Sequence, residues 1–483
     1  MIFLRFARWV AVGLAIAGLI FLVPPVTVIE SKAPQAQSLQ VSAKDLQLTC
    51  SGPVVLAGGS SGTSVNSFRR LGNASIATTY SGASQTTLES IGGQKIIGYG
   101  IRQDVVGKLG GAGSAKVVDK TGTTEQGSSL LSVNQTQLVD DRSIKGLLAA
   151  PCIRPKSEFW LVGGSTSVGR EALLILTNPS AVDATVDLSI FTENGSSHSA
   201  GLSGVSVRKN STTVLPMSSF VLRAESIAVQ IQSFGGSIIA VLQQKAIRGT
   251  KANGADYIFP SEVVAKESFF PGILVRGATD AAKYRKVSAA YSDVQNMLRV
   301  FVPGDQDANL TFQVIGTDSE TFGTAISVKA PAGRVSDFEI TGLKNGDYFG
   351  ILTSDVPVRS SLRLVRAKST GDKFVDFAWI NSAQSFDSTR FVAVPNFGIT
   401  KLSIVNPATK SVTVTLRIGG AVVKRNIAAA SAEVVQLAKG LGVGISPSGL
   451  VYANLVIDSQ GRVATLPVVD EKNISGQVTV SIH

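Results

Sequence analysis

LLILTNPSAVDATVDLSI, from Leu173 to Ile190, and KLSIVNPATKSVTVTLRI, from Lys401 to Ile418, lay down the same apolar run, turn and alternating run without a gap. They superpose at one offset, since 406 minus 178 and 407 minus 179 both give 228. Asn178-Pro179 falls on Asn406-Pro407, and Thr185, Val186, Leu188 and Ile190 fall on Thr413, Val414, Leu416 and Ile418. A middle copy from Leu298 to Val314 aligns at 303 minus 179, or 124, with Val302-Pro303 at the turn and Ala308, Leu310, Phe312 and Val314 behind it. Proline fixes φ and lacks an amide donor, so it fits where a strand ends, and asparagine tolerates the extended geometry that proline demands of its predecessor. Asn178, Pro179, Pro303, Asn406 and Pro407 are therefore read as structural turn residues.

Each hairpin has matching flanks. Opening strands are marked by FWLVGG at Phe159, FFPGILV at Phe269 and FVAVP at Phe391, and closing pairs follow from Ile227, Tyr348 and Val451. DYIFP at Asp256 and DFAWI at Asp376 place an Asp before an aromatic pair at similar junctions and read as recurring closing strands. About seven short strands in roughly 100 residues is the pattern of an immunoglobulin-like sandwich, in which alternate residues face one core. Hydrophobic residues make up 44% of the chain but aromatics only 6%, and 48 glycines punctuate it, which favours short strands and tight turns over helix bundles. At 483 residues the chain is too long for one core. The expected fold class is all-β, with tandem immunoglobulin-like β-sandwich domains after one N-terminal transmembrane or signal helix. The expected boundaries are a signal peptide or anchor at 1–29, a linker at 30–40, a β-rich N-terminal domain at 41–150, and sandwiches at 151–262, 263–385 and 386–483. The relation of the 41–150 region to the later repeats stays open.

Arg5 and Arg8 precede Trp9 to Ile29, an uncharged run interrupted only by Pro24-Pro25. A charged start before such a run is an uncleaved anchor or a secretory signal. The anchor is the preferred reading, because the nearest small-x-small cleavage pattern, Ala33 to Ala36, is poor. With the arginines inside, the rest of the chain is expected outside a cell membrane, or secreted if cleavage occurs. The net charge of +11 is spread through strands and loops without a basic run, which disfavours nucleic acid and leaves an envelope protein or an anionic wall polymer as the expected partner.

Cys50 in LTCSG and Cys152 in AAPCIRP both follow the export segment, where a pair is the default expectation. Closing a loop of that length contributes about 4 to 5 kcal/mol on the chain-entropy description. No metal or cofactor is implied, since two cysteines without a nearby histidine cannot complete four zinc ligands. Gly58-Gly59-Ser60-Ser61-Gly62 matches the nucleophile-elbow pattern, but the two histidines, His198 and His483, sit in a polar turn and at the chain end. Asp305, Asp307 and Asn309 begin like a calcium loop, yet Leu310 stands where that loop needs Gly and Gly316 where it needs Glu. Asp140 and Asp141 are adjacent and point to opposite faces of a strand, so they do not form an acid and base pair. Trp160 and Trp379 lie in apolar strand-like runs and are assigned to packing rather than to sugar stacking.

LTCSGP, AAPCIRP, FWLVGGSTSVGR, the LTNPSAVDATVDL hairpin and DYIFP together resemble an exported, membrane-anchored actinobacterial protein family of unknown function. The resemblance runs from the hydrophobic segment to about Pro260, and more loosely to the end. It implies an extracytoplasmic location and a link to envelope glycan assembly, and it supplies no active site. The expected function is a non-enzymatic envelope scaffold or binding module. The alternative is an extracytoplasmic hydrolase or transferase with Ser60 as nucleophile. A non-reducing peptide map of the exported chain is expected to join Cys50 to Cys152, and two alkylatable thiols in the native protein would refute that pairing.

Overall fold

In the computed structural model, which describes residues 36–41, 46–58, 68–80, 85–90, 95–99, 104–118, 131–318, 323–371, 373–469 and 476–481, the chain is almost entirely β. The hairpin pattern appears as expected. In Ala184–Thr192 the residues Val186, Leu188 and Ile190 are buried while Thr185 and Ser189 are exposed, and Val412–Ile418 buries Val414 and Leu416 in the same way. A single α-helix among the described residues, Ala278–Val287, follows the opening strand of the third sandwich. No helix among them is long and apolar enough to cross a membrane, and the N-terminal run expected to do so lies outside the described residues.

Four sandwiches share one strand order. In the second, one sheet runs Lys251–Ile258, Ile239–Arg248, Arg170–Asn178, Ser211–Pro216, and the facing sheet is built on Glu158–Val162, Ile227–Gly235 and Ala184–Thr192. The fourth repeats this as Arg462–Pro467, Val451–Ser459, Ile399–Asn406, Ser431–Leu437. The first repeats it as Lys145–Pro151, Leu131–Asp140, Ala74–Tyr80, Asp104–Leu109, so the 41–150 region is a further copy of the unit. In the third, the long strand Gly346–Lys368 belongs to both sheets, pairing with Ala265–Val275 and Ala308–Gly316 by its first half and with Met297–Phe301 and Phe374–Asn381 by its second. In each sandwich the last strand, which includes the DYIFP and DFAWI segments read as closing strands in the second and third, lies at the edge of its sheet.

Those last strands organise the molecule. They are β1 (Lys145–Pro151), β2 (Lys251–Ile258), β3 (Phe374–Asn381) and β4 (Arg462–Pro467). β1 packs on β2, β2 on β3, β3 on β4 and β4 back on β1, which closes the four sandwiches into a ring around a common axis. The sandwiches expected in tandem along the sequence follow one another around this ring. The ring arises because each inner strand feeds its neighbour's core: Leu147 and Ala149 of β1 sit in the core of the fourth sandwich, and Val375, Phe377 and Trp379 of β3 in that of the second. Leu148 and Ala150 of β1 pack with Ala255 and Tyr257 of β2. Both faces of these strands are buried, which explains their near-continuous apolar sequences. Residues 44–474 form one unit; Ala36–Val41 and Gly476–Ser481, drawn from the expected linker and the expected last sandwich, form a two-stranded antiparallel sheet of their own.

The repeated Asn-Pro turn has a cause beyond proline geometry. Asn406 Nδ2 donates to the carbonyls of Lys410 (2.8 Å), Ile427 (3.1 Å) and Ala428 (2.8 Å), while its Oδ1 accepts from Ala408 N at 3.0 Å. Asn178 does the same with Val182 O (2.8 Å), Val207 O (3.0 Å) and Ser180 N (2.9 Å). A buried side-chain amide therefore staples the turn to a neighbouring strand. At the middle copy Val302 is buried in the third core, and Asp307 Oδ1 caps the turn by accepting from Ala332 N at 2.9 Å. Asn406→Ala leaves the buried carbonyl of Ile427 and those of Lys410 and Ala428 without that donor, so it is expected to lower stability by about 2 kcal/mol, read as a fall in melting temperature.

Candidate functional site

An inner strand in this ring has a ladder partner on one side only, so its other edge faces the axis with unpaired backbone groups. Two aspartates on the inner strands meet that need. Asp376 Oδ2 of β3 accepts from Leu147 N of β1 (3.2 Å) and Val463 N of β4 (3.4 Å), and Oδ1 accepts from Ala255 N of β2 (3.3 Å). One carboxyl thus touches all three other sandwiches. Asp256 Oδ2 of β2 accepts from Trp379 N at 2.7 Å, and Thr465 Oγ1 of β4 donates to Trp379 O at 2.6 Å. The approach demands Gly146 in β1, because a Cβ there would lie 2.5 Å from Ala255 N and 2.9 Å from Asp376 Oδ1. Burial pushes the Asp376 carboxyl up to about 7 and raises Asp256 well above the usual carboxylate range, while the amide donors pull the other way. Trp379, 1% exposed, donates Nε1 to Gln244 Oε1 at 3.0 Å and lies under the Arg299 guanidinium, 4.8 Å from the ring centroid.

Charged groups also hold the joints between sandwiches. At the second–third joint Asp293 receives Arg170 Nη2 (2.6 Å) and Arg248 Nη2 (3.2 Å) on its carboxylate, while Arg363 Nη2 donates to its carbonyl at 2.6 Å. Burial alone would raise Asp293, but Arg363, Arg248 and Arg170 hold it far below the ordinary carboxylate range. Arg299 makes a fork on Asp337 (2.7 and 2.6 Å) and reaches Glu225 O at 3.0 Å. Asp347 binds Arg276 and, across the third–fourth joint, Lys401 at 2.8 Å. Arg462 binds Asp140 at 3.0 Å across the fourth–first joint, and Gln243 closes the first–second joint by exchanging bonds with Val55 N (2.8 Å) and Val55 O (2.7 Å).

The axis opens at one end. β2 and β3 run in one sense, as the pairs Asn253 with Val375 and Phe259 with Asn381 show, and the carboxyl ends of all four inner strands, at Pro151, Phe259, Asn381 and Pro467, surround a pocket of about 90 Å³. Its lining comes from all four sandwiches, including Pro151, Phe259, Ser382 and Pro467.

The residues singled out in the sequence fall elsewhere. Cys50 and Cys152 are disulfide-bonded and buried in the first core, beside the reciprocal bonds of Thr49 and Ile153 (2.8 and 3.0 Å). Asn178, Pro179, Pro303, Asn406 and Pro407 mark turns distant in sequence from the inner strands, and Ser60 and His483 lie outside the described residues. His198 is exposed, with Ser196 Oγ at 3.3 Å. Asp305 is exposed, Asp307 pairs with Lys329 at 2.9 Å, and Asn309 donates its amide N–H to Asp355 at 2.8 Å, so that turn is held by its own side chains. Among the described residues no group of three His, Cys, Asp or Glu could hold a metal. Trp160 stacks on Phe301 (5.3 Å) with Arg359 over its ring (4.6 Å), at the joint of the second and third sandwiches. The Asp before an aromatic pair in DYIFP and DFAWI was the one signal of the axial carboxyls.

A family of unknown function (DUF5719) matches residues 107–440, and the chain belongs to that family. No curated protein matches it. Two solved structures align at low identity. One is an adhesin described as Ca2+-stabilized and helping an Antarctic bacterium bind ice, 9% identical over 82% of this chain and 94% of that one, with a TM-score of 0.11. The other is the BSP domain of a biofilm-associated protein, 10% identical over 93% of this chain and 99% of that one, with a TM-score of 0.13. Neither superposition carries an argument about this chain.

The axial carboxyls give the fold a signed pH dependence. Asp376 has an ordinary value of 3.8 and a folded value of about 7, so the folded chain holds a proton that the unfolded chain releases. Its contribution is complete below its ordinary value and is lost as pH rises through 7, and Asp256 acts in the same direction. The melting temperature is therefore expected to be higher near pH 5.5 than near pH 8.5, with a limiting slope of about 1.4 kcal/mol per pH unit for each proton. Asp376→Asn is expected to reduce that difference, and an unchanged profile would contradict the assignment.

Proposed function

We propose that this member of a family of unknown function is a non-enzymatic, extracytoplasmic scaffold of the cell envelope, held at the membrane by its N-terminal segment and engaging a protein or wall-polymer partner. The observation that carries the reading is where the ring places its buried charge. Asp256 and Asp376 hold the axis, and Asp293, Arg248, Arg299 and Arg363 hold a joint between sandwiches. Side chains that a catalyst would turn toward a substrate here turn toward neighbouring repeats. The Cys50–Cys152 disulfide supports an oxidising compartment. The resemblance to exported actinobacterial proteins supports an envelope location and a link to glycan assembly. The dispersed cationic residues support contact with anionic envelope material rather than nucleic acid.

The rival proposal is an extracytoplasmic hydrolase or transferase that uses Ser60. Two measurements in intact cells separate the readings. Crosslinking of the full-length protein is expected to capture an envelope protein or polymer, while a serine-directed probe is expected to leave Ser60 unlabelled and Ser60→Ala to preserve the cellular function. Labelling of Ser60 together with loss of function in Ser60→Ala would overturn the scaffold reading.

A further inference from the structure

The pocket at the mouth of the axis is several times larger than the roughly 10 to 15 Å³ that one water occupies by the same measure. Its walls are apolar, formed by Pro151, Phe159, Phe259, Pro260, Pro467 and Val468. Polar residues interrupt that surface, Arg154, Asn381, Gln384 and Asn454 among them, and two serines carry hydroxyls withdrawn just behind it. Ser261 and Ser382 line the pocket, are 6% and 5% exposed, and their Oγ atoms have no hydrogen-bond partner within the protein. Leaving a buried hydroxyl unpaired is unfavourable by about 1 to 3 kcal/mol. A step between staggered χ1 positions lets either oxygen seek a partner in the pocket. At the rim Lys156 is paired with Glu262, whose second oxygen accepts from Gln384 Nε2 at 3.1 Å.

We infer that this mouth binds one apolar side chain of a partner polypeptide together with the peptide groups beside it. This inference rests on the binding role proposed above and narrows it to a protein occupant at one place. The space suits a single side chain, and proline and phenylalanine walls reward burial of a hydrocarbon group. A peptide unit offers one N–H and one C=O, and a serine hydroxyl can accept from the first or donate to the second. A sugar carries hydroxyls on most of its carbons and would press them unpaired against Pro151, Pro260 and Pro467. An anion finds Lys156 already paired with Glu262 and Arg154 already engaged within the protein.

The test uses the full chain and small probes. N-acetyl-leucinamide and N-acetyl-phenylalaninamide each present one apolar side chain between two peptide groups, and methyl α-glucoside presents a sugar. In saturation-transfer NMR at least one amide is expected to bind with a millimolar dissociation constant while the glucoside gives no signal. Val263→Trp, placed at a half-buried lining position, is expected to abolish the signal at unchanged melting temperature. Ser261→Ala and Ser382→Ala are each expected to weaken binding about fivefold without lowering the melting temperature, because each removes one probe bond and one otherwise unpaired hydroxyl. Three results would overturn the inference: binding of the glucoside alone, binding of no probe, or amide binding that survives Val263→Trp. A lower melting temperature in both serine variants without probe binding would mean that water alone satisfies the hydroxyls, and would also overturn it. Crosslinking that captures an envelope partner while every probe fails leaves the scaffold reading standing and removes this one.

Discussion

A strand with a ladder on one side only must find partners for the amide groups on its other edge, and four such edges meet at the centre of this ring. Water has little access between strands packed on both faces, so side chains must supply the acceptors. Asp376 does so for three sandwiches at once, and Asp256 continues the pattern one level along the axis. The remaining architecture follows from that arrangement. Gly146 is required for the close approach of β1, and the inner strands can lend Leu147, Ala149, Phe377 and Trp379 to neighbouring cores because their edges are satisfied without a continuous ladder.

The repeat itself was legible because period-two alternation and a proline turn are local signals. Val186, Leu188 and Ile190 announced their burial in one short window, as did Val414 and Leu416. Ring closure was not legible. It depends on contacts such as Asp376 with Leu147, 229 residues apart, and no periodicity encodes that distance. The Asp before an aromatic pair was visible as a recurring closing strand, but its purpose needed the missing neighbours. Asn178 and Asn406 were assigned to turns for their backbone tolerance, whereas their side chains also carry the link to the next strand. The first sandwich hid its kinship because it lacks the contiguous hairpin pattern, although its strand order is that of the others.

The positive charge of the chain takes on a different meaning in three dimensions. Arg170, Arg248, Arg299 and Arg363 gather at one joint, around Asp293 and Asp337, and their side chains are almost wholly withdrawn from solvent. Guanidinium groups suit this use because they form several directional bonds and are more weakly hydrated than ammonium groups. These four arginines are therefore contact groups within the fold, and the cationic groups left for an approaching partner are the other, dispersed lysines and arginines.

The strand Gly346–Lys368 runs for 23 residues without a loop, its first half in the outer sheet of the third sandwich and its second half against β3. In the second and fourth sandwiches a connecting turn separates the corresponding strands. In the third the same backbone passes from the outer sheet to the pairing with β3, where Arg366 stands opposite Asp376. One strand thus sets the register of both sheets of the third sandwich, so a one-residue slip in it would turn side chains to the wrong face in both at once.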